Sequence, residues 1–285
     1  MAIVGPGRVG LALGAALLHA RAVESLTYYG RALEPPPHPI FDAEGGAAYR
    51  VGPHPLPPDT TILILAVPDS ALPEVTTDLA HVGPAPAACA ALHLSGALSG
   101  DVLSPLHARG YATGSLHPMQ SVADAWSAAD RLLGATFAVG GEPAAVSAAR
   151  RIVTGLGGRV LVIPPVLRPV YHAAATAGSN YVVALLAFAA RLLMQAGVDE
   201  AEAVPALLPL LRGALDNVEQ LGLVAALTGP IARGDTDTVR LHVARLSEQD
   251  RALYCALGRE TLQLARSAGL DPRRAAELEA LLATI

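Results

Sequence analysis

"AIVGPGRVGLALG" (residues 2–14) starts with three apolar residues, has glycines at positions 5, 7 and 10, and runs into an apolar, helix-forming segment. In a G-x-G-x-x-G turn, the first glycine permits a tight bend, the second lets the backbone approach a pyrophosphate, and the third lets the helix pack closely. A strand over residues 2–4 and a helix over 11–20 supply the context that this motif needs. We therefore interpret Gly5-Pro6-Gly7-Arg8-Val9-Gly10 as a dinucleotide cradle. The alternative is a tight strand-to-helix turn whose glycines serve packing alone.

Whether the cofactor is NAD(H) or NADP(H) is predicted from the end of the next strand, residues 26–29. A site that prefers NAD places a carboxylate there, about 20 residues after the glycines, to bind the 2′-hydroxyl of the ribose. This chain has Gly30-Arg31 at that point. An arginine pairs with a 2′-phosphate, which a carboxylate would repel. We expect NADP(H), with a solvated strand end as the alternative role for Arg31.

The chain divides into two regions by its apolar patterns. Up to about residue 164, short apolar segments alternate with turns and helical patterns, which is typical of a parallel sheet covered on both faces. The predicted strands are residues 2–4, 26–29, 62–67, 92–94, 114–116, 136–139 and 160–163. Beyond that point only helical patterns remain, over residues 170–196, 199–226, 235–268 and 272–284.

We therefore predict an α/β fold, with a dinucleotide-binding parallel-sheet domain over residues 1–164 and an all-α domain over 165–285. Between Glu34 and Asp59 the chain has eight prolines. We interpret this segment as an irregular, solvent-exposed excursion where a regular fold would have a helix and a strand.

Composition excludes several classes of partner. The 285 residues carry a net charge of −5 with no long run of either sign, which argues against a nucleic-acid surface. The longest apolar run, residues 181–190, ends at Arg191 and is shorter than the roughly 20 residues that span a bilayer. No signal-peptide pattern is present, so we expect a cytoplasmic protein without a membrane partner. Two cysteines indicate neither a disulfide framework nor a metal site.

The chain contains no lysine, since all 20 basic residues are arginines. Mechanisms that need a lysine acid, a Schiff base or a phosphate-binding lysine of the chain are therefore excluded. A proton donor has to be histidine, tyrosine, cysteine, a carboxylic acid or water.

Ligands of open parallel sheets bind at the carboxyl ends of the strands. Val67-Pro68 and Ser95-Gly96 follow two predicted strands, and we expect these residues to border the cofactor. "SLHPMQS" (residues 115–121) follows a third. Histidine donates protons near neutral pH, as reduction of a carbonyl or imine requires, so His117 is a catalytic candidate. Its alternative role is structural, at the end of a strand.

"RPVYHAAATAGSNYVVALL" (residues 168–186) is a second candidate segment. His172, Thr176, Ser179 and Asn180 fall at i, i+4, i+7 and i+8, which predicts one polar stripe on an apolar helix. We expect His172, Ser179 and Asn180 to be catalytic and Thr176 to bind substrate. The alternative is a hydrogen-bond network between helices.

A third segment, "LTGPIARGDTDTVRLH" (residues 227–242), predicts a bend between helices. It carries Thr228 and Arg233, which we expect to bind substrate, with Arg233 clamping a carboxylate. We interpret His242 as a packed or surface residue.

Together, "GPGRVG", "AVPDSAL", "LHLSGAL", "SLHPMQS", "HAAATAGSNYVVALL" and "LTGPIARGD" resemble Rossmann-like proteins with a C-terminal domain of unknown function 2520 (DUF2520). These are predicted oxidoreductases of the 6-phosphogluconate dehydrogenase-like superfamily. The resemblance spans essentially the whole chain. It implies an N-terminal dinucleotide domain and an α-helical C-terminal domain that often dimerises, and hence a homodimer through the C-terminal helices.

Two narrower resemblances bear on the substrate. "ATAGSNYVVALL" is similar to the segment of pyrroline-5-carboxylate reductases that lines their substrate site. Some relatives with this architecture are associated with ketopantoate reduction. The better-known ketopantoate reductases use a catalytic lysine that this chain lacks, so His117 or His172 would have to replace it.

These observations favour an NADP(H)-dependent oxidoreductase that reduces a small C=O or C=N compound bearing a carboxylate, a 2-keto or imino acid. In this hypothesis His117 or His172 supplies the proton, Ser179 and Asn180 orient the reactants, and Arg233 holds the carboxylate. Two alternatives remain open at this point. One is a non-catalytic NADP(H)-binding sensor or interaction dimer, and the other is an enzyme that exchanges hydride between NADP and a deazaflavin.

Overall fold

The computed structural model describes residues 1–283, which form a single eight-stranded sheet and twelve α-helices. The strand order is β3-β2-β1-β4-β5-β6-β7-β8, and every neighbouring pair is parallel except β6 with β7. The strands are β1 (Ala2–Val4), β2 (Leu26–Gly30), β3 (Ala47–Val51), β4 (Ile62–Leu65), β5 (Ala90–His93), β6 (Ala112–Pro118), β7 (Thr136–Gly141) and β8 (Arg159–Val162).

Five helices follow or connect the strands, and seven more make up the remainder of the described chain. The first five are α1 (Arg8–His19), α2 (Leu72–Val82), α3 (Ser104–His107), α4 (Ala125–Leu132) and α5 (Pro143–Gly155). The others are α6 (Arg168–Gly178), α7 (Asn180–Gln195), α8 (Glu200–Ala225), α9 (Pro230–Arg233), α10 (Thr236–Arg245), α11 (Glu248–Ser267) and α12 (Pro272–Leu282).

Helices cover both faces of the sheet, as parallel strands require. On one face α1, α4 and α5 pack on a core that includes Leu13, Ile64 and Phe137. On the other face α2 and α3 cover a smaller core with Leu63 and Leu72. The predicted α/β fold, a mostly parallel sheet followed by a helical region, is confirmed.

Close contact between α1 and the sheet depends on a glycine that follows the cradle motif. A Cβ at Gly14 would overlap the hydroxyl of Tyr28 and lie 2.9 Å from Leu26 Cδ2. The Tyr28 hydroxyl is buried there and donates to the carbonyl oxygen of Gly10 at 2.9 Å. The missing side chain therefore sets how near the helix lies to β2.

Two sheet details differ from the sequence prediction. The segment that we expected to be an irregular excursion contains β3, which pairs along its whole length with β2. Its residues alternate half-buried and exposed over the first four positions, so the strand lies at a sheet edge, where the apolar signal is weakest. One pair of strands also departs from the parallel arrangement that we predicted, because β7 runs antiparallel to β6. The connection from β6 to β7, which contains α4, therefore begins and ends at the same end of the sheet, whereas a connection between parallel strands has to return to the opposite end.

Two of the four helical segments predicted for the C-terminal region are divided in the structure, whereas those over 199–226 and 272–284 correspond to α8 and α12. The 170–196 helix is divided at Ser179, whose backbone is non-helical (φ −129°, ψ −72°) and whose hydroxyl donates to the Ala175 carbonyl at 2.8 Å. Such a bond to the preceding turn competes with the helical ladder. The 235–268 helix is divided because Ser247 caps a new one, its hydroxyl accepting the Asp250 N–H.

The chain forms two compact units, Met1–Ser179 and Asn180–Ile285. Helix α6, which we had assigned to the second domain, belongs to the first unit. The second unit has its own apolar core, built around Val239, Cys255, Leu262 and Leu278.

Within the described chain, Pro165–Gln195 is a helical run long and apolar enough to cross a membrane by length and composition alone. We had expected no such run. It consists of separate helices, however, and Arg168 near its start is 1% exposed and donates to the carbonyl of Ser95. The first half of the run is therefore part of the sheet-containing unit.

Candidate functional site

Two of the three glycines in the turn between β1 and α1, Gly5 and Gly10, are required by the atoms packed around them. Gly5 has φ +98°, and its N–H donates to the Tyr29 carbonyl at 3.0 Å. A Cβ on Gly5 would lie 2.5 Å from the Ala66 carbonyl oxygen, and one on Gly10 would overlap the Gly5 carbonyl. Packing alone accounts for these two glycines.

Gly7 is different, because packing does not explain it. It is exposed, and a Cβ built on it would meet no atom within 4 Å. It caps the start of α1 without a side-chain hydrogen bond, and the first turn has no acidic residue. The N–H groups of that turn and the positive end of the helix dipole are therefore available to an anion.

A cleft of about 440 Å³ lies along this turn. It is at the switch point of the strand order, where β1 neighbours both β2 and β4, which is where open α/β sheets bind dinucleotides. Six of the predicted cofactor residues line this cleft: Gly5, Pro6, Gly7, Arg31, Val67 and Pro68. Its lining also includes Glu74 and Asp78, which we did not predict from the sequence.

The other predicted cofactor residues are not part of the lining of this cleft. Gly10 is buried under the turn, Val9 is half-buried, and Arg8 donates to the Ala123 carbonyl at 3.2 Å. Ser95 is buried, and its hydroxyl donates to Asp69 at 2.8 Å while accepting from the Leu98 N–H at 3.0 Å. Contacts of Ser95 with a cofactor stay a prediction.

Both histidines predicted to be catalytic meet at the carboxyl end of β6. The ring centroids of His117 and His172 are 5.7 Å apart at an interplanar angle of 84°. Gly96 lies against them, since a Cβ there would be 2.9 Å from His117 Nε2 and would overlap His172 Nδ1. His172 Nδ1 is buried without a hydrogen-bond partner among the described residues.

Tyr171 and Arg168 complete this group, and the sequence reasoning missed both. Tyr171 Oη is 2.6 Å from His117 Nδ1. Arg168 is buried, and its Nη2 donates to the Ser95 carbonyl at 2.8 Å, whereas its Nε and Nη1 have no partner in the described structure. The spacing of residues 168, 171 and 172 is i, i+3, i+4, a helical face that "RPVYH" already contains.

Burial sets the charge of this site. It lowers the pKa of His117 to about 4, assisted by His172 and Arg168. Burial also raises the pKa of Tyr171 to about 12, against the opposing effect of Arg168. At pH 7 both groups are therefore neutral, which differs from the readily protonated histidine that the sequence argument assumed.

His93 shows the same effect without access to a ligand. It is fully buried, its Nδ1 accepts the Ser95 N–H at 3.2 Å, and its Nε2 lies 3.0 Å from the Ser99 carbonyl. This pattern requires the neutral ring with hydrogen on Nε2. Burial lowers its pKa to about 4.

The remaining predicted residues do not join this cluster in a described contact. Thr176 is half-buried on α6, and the break at Ser179 ends the continuous stripe that we predicted. Asn180, Thr228 and Arg233 belong to the second unit, in which Thr228 and Arg233 are exposed. Their roles stay predictions. Within residues 1–283, no group of three or more metal-ligating side chains is present.

Two protein-family models match parts of this chain. Residues 135–261 match the model of the family described as Domain of unknown function (DUF2520), and residues 47–118 match that of the Rossmann-like domain. The two matches cover separate parts of the chain, in the order that the motifs predicted. The resemblance inferred from the motifs is thereby confirmed. The DUF2520 match begins at β7, inside the first compact unit. A search of curated protein sequences finds no significant match.

Solved structures resemble the chain over nearly its full length. Protein TM1727 from Thermotoga maritima aligns with a TM-score of 0.70 and 23% identity, covering 93% of this chain and 98% of that one. Pyrroline carboxylate reductase from Plasmodium falciparum, with NADP bound, aligns with a TM-score of 0.57 and 12% identity, covering 99% and 97%. Reductive aminase from Aspergillus terreus, in complex with NADPH and ethyl levulinate, gives 0.54 and 19%, covering 99% and 91%. At these identities the likeness establishes the fold.

A pair of glycine variants separates packing from ligand binding. Gly7→Ala places a methyl group in the open cleft at an ordinary φ of −83°, so we expect unfolding free energy to change by less than about 1 kcal/mol. Affinity for NADPH, measured by calorimetry, should fall at least roughly tenfold, because the backbone can no longer approach the phosphates. Gly14→Ala should do the reverse, costing about 1–3 kcal/mol through overpacking. Unchanged NADPH affinity in Gly7→Ala would contradict the cradle.

His93 makes stability depend on pH. Its folded pKa of about 4 is below its unfolded value, so its contribution is complete above about pH 6.5 and is lost as pH falls toward 4. Between pH 7.5 and pH 5 the wild type should lose about 2 kcal/mol more unfolding free energy than His93→Gln. Urea unfolding at both pH values measures this. Equal losses in the two proteins would show that His93 is protonated alike in both states.

Proposed function

We propose that this protein is an NADP(H)-dependent reductase of a small C=O or C=N substrate bearing a carboxylate, a 2-keto or imino acid. One observation carries the proposal. The carboxyl edge of a single sheet presents Arg31 after β2, the open Gly7 turn after β1, and the His117–Tyr171–His172 cluster at β6. A phosphate-binding end and a proton-transfer end thus belong to one edge of one compact unit.

Gly7 and Arg31 in the cleft suit a dinucleotide with a 2′-phosphate, whereas Glu74 and Asp78 on α2 add negative charge to its lining. Gly7 and the first N–H groups of α1 would hold the pyrophosphate. Arg31, exposed and lining the cleft, has no hydrogen bond or ion pair among the described residues and would pair with the 2′-phosphate. When bound, the reduced nicotinamide supplies a hydride. The side chains around His117 would supply the proton that the reduced atom needs.

The descriptions of the similar structures support NADP(H) as the cofactor and a carbon–nitrogen bond as the bond that is reduced. The Plasmodium falciparum protein is a pyrroline carboxylate reductase with NADP bound, and the Aspergillus terreus protein is a reductive aminase in complex with NADPH. Both names refer to chemistry at carbon–nitrogen bonds. An imino acid is therefore the preferred substrate class, and ketopantoate is a lesser candidate among 2-keto acids.

The substrate contacts are part of the proposal. His117 or His172 would supply the proton, and Ser179 and Asn180 would orient the reactants. Thr176 and Thr228 would bind the substrate, and Arg233 would hold its carboxylate.

We also propose that the protein is a cytoplasmic homodimer, with neither nucleic acid nor membrane as partner. Its support is the number of large apolar side chains exposed on two helices of the second unit. Tyr181 and Val183 on α7 are 65% and 69% exposed, and Leu210 and Leu223 on α8 are 72% and 63% exposed. Patches of this kind mark interaction surfaces. Light scattering of the purified protein tests the assembly, and a monomer at micromolar concentration would refute it.

The activity is tested by NADPH oxidation with a panel of cyclic imino acids, 2-keto acids and the matching compounds without a carboxylate. We expect turnover of a carboxylate-bearing member and loss of at least about 10²-fold in kcat/KM for His117→Asn. NADPH binding without turnover of any member would instead favour the non-catalytic sensor, and reduction of a deazaflavin would favour the hydride exchanger.

Cofactor choice depends on Arg31. Arg31→Gln removes a charged donor, so NADPH affinity should fall about 10- to 100-fold while NADH affinity changes less than about threefold. Isothermal calorimetry with both nucleotides measures the ratio. Arg21→Gln, at an exposed arginine outside the cleft lining, is the matched control and should alter neither affinity. Parallel loss for NADPH and NADH in Arg31→Gln would rule out a 2′-phosphate contact.

A further inference from the structure

We propose that Tyr171 is the proton reservoir of the site, passing its phenolic proton through His117 to the substrate while Arg168 stabilises the phenolate. The inference rests on the proposed reductase function and assigns the positioning and proton-supply roles within it. Tyr171 acts through His117, which is the group that would touch the substrate.

The first argument is the contact between the two side chains. Tyr171 Oη and His117 Nδ1 are 2.6 Å apart, and the rings meet edge to face with centroids 5.6 Å apart. When the phenol donates to Nδ1, the neutral imidazole carries its hydrogen on Nε2. That nitrogen lies on the Gly96 side, where the missing Cβ leaves room.

The second argument is that His117 is a poor acid by itself at neutral pH. Burial lowers its pKa to about 4, and the charges that face it come from several elements. His172 and Arg168 on α6 and His93 on β5 all oppose protonation, whereas Asp69 after β4 favours it. At pH 7 almost no imidazolium is present. A neutral ring donates from Nε2 only if Nδ1 receives a proton at the same time.

The third argument is the position of Arg168. Its guanidinium carbon is 5.9 Å from the centroid of the Tyr171 ring, and its Nε and Nη1 are buried without hydrogen-bond partners in the described chain. An uncompensated buried cation is costly, and a nearby anion relieves that cost. A phenolate at Tyr171 supplies this anion, so Arg168 favours loss of the proton from Tyr171.

The step balances as a double proton transfer. When the substrate is reduced, the His117 Nε2–H bond would break and a new bond to hydrogen would form at the substrate oxygen or nitrogen. The Tyr171 O–H bond breaks and Nδ1–H forms, leaving a neutral imidazole and a phenolate beside Arg168. A proton from solvent then restores the phenol, and the imidazole returns to its first tautomer.

The first test needs neither cofactor nor substrate. Nitrogen-15 NMR of labelled histidines should show His117 in the wild type with hydrogen on Nε2, and a mixture of tautomers in Tyr171→Phe. The control is Tyr254→Phe, which removes a phenol from a similar pair in the second unit, where Tyr254 Oη is 2.8 Å from His242 Nδ1. That variant should leave the His117 signals unchanged. A wild-type His117 with hydrogen on Nδ1 would overturn the proposal.

The second test is the pH profile of turnover. In the wild type kcat/KM should be flat between about pH 6 and 9, since His117 and Tyr171 both stay neutral there. In Tyr171→Phe the imidazolium becomes the only donor, so kcat should be about 10²-fold lower and kcat/KM should fall about tenfold per pH unit. Tyr254→Phe should match the wild type. A flat profile in Tyr171→Phe with wild-type kcat would overturn the relay.

The two tests separate this inference from the proposed function. Failure of the protein to oxidise NADPH with any substrate would refute the reductase, whatever the tautomer of His117. Turnover together with unaltered NMR signals and pH profile in Tyr171→Phe would keep the reductase and refute the relay.

Discussion

The hydrogen bond from Arg168 to the Ser95 carbonyl joins the part of the chain that follows the sheet to the sheet itself. It ties the first residue of α6 to the loop after β5, and a guanidinium buried to 1% exposure would lose the hydrogen bond of its Nη2 if it left that position. Tyr171 and His172 lie on the same face of α6, so this contact and the one between Tyr171 and His117 hold both side chains beside β6. Helix α6 accordingly belongs to the first compact unit, although the DUF2520 match extends on both sides of the unit boundary.

The main architecture was predictable because it depends on local signals. A buried strand such as residues 62–65 has no polar interruption, and the glycine turn has a fixed spacing, so the strand-turn-helix start and the α/β class were correct. The edge strand β3 was missed because its sequence, AAYRV, has no continuous run of large apolar residues, unlike the RVLV of the other edge strand, β8. The antiparallel β7 could not be predicted, since direction depends on the path of the connection and not on the strand sequence.

Part of the candidate site was also predictable, because it too depends on local signals in the sequence. His117 and the cleft residues followed from the rule that parallel strands end at one edge. Arg168 and Tyr171 were missed because an arginine at a helix start ordinarily indicates a solvated position. Only tertiary packing reveals that it is buried, and only burial determines that the neighbouring histidine is neutral. The charge state of the site is thus a property of the assembled unit, which no single motif encodes.

Gly96 has a consequence for how related chains can be sorted. Its missing side chain is the space that lets two imidazoles share one corner of the sheet. A relative with a larger residue there would still fold and keep its glycine turn, because the overlap is with side chains and not with the backbone. It would have to displace the imidazoles of His117 and His172, so in the proposed reductase it would disturb proton delivery and leave the glycine turn intact. The residue at position 96 therefore distinguishes, within one architecture, chains that can hold both histidines at this corner from chains that cannot.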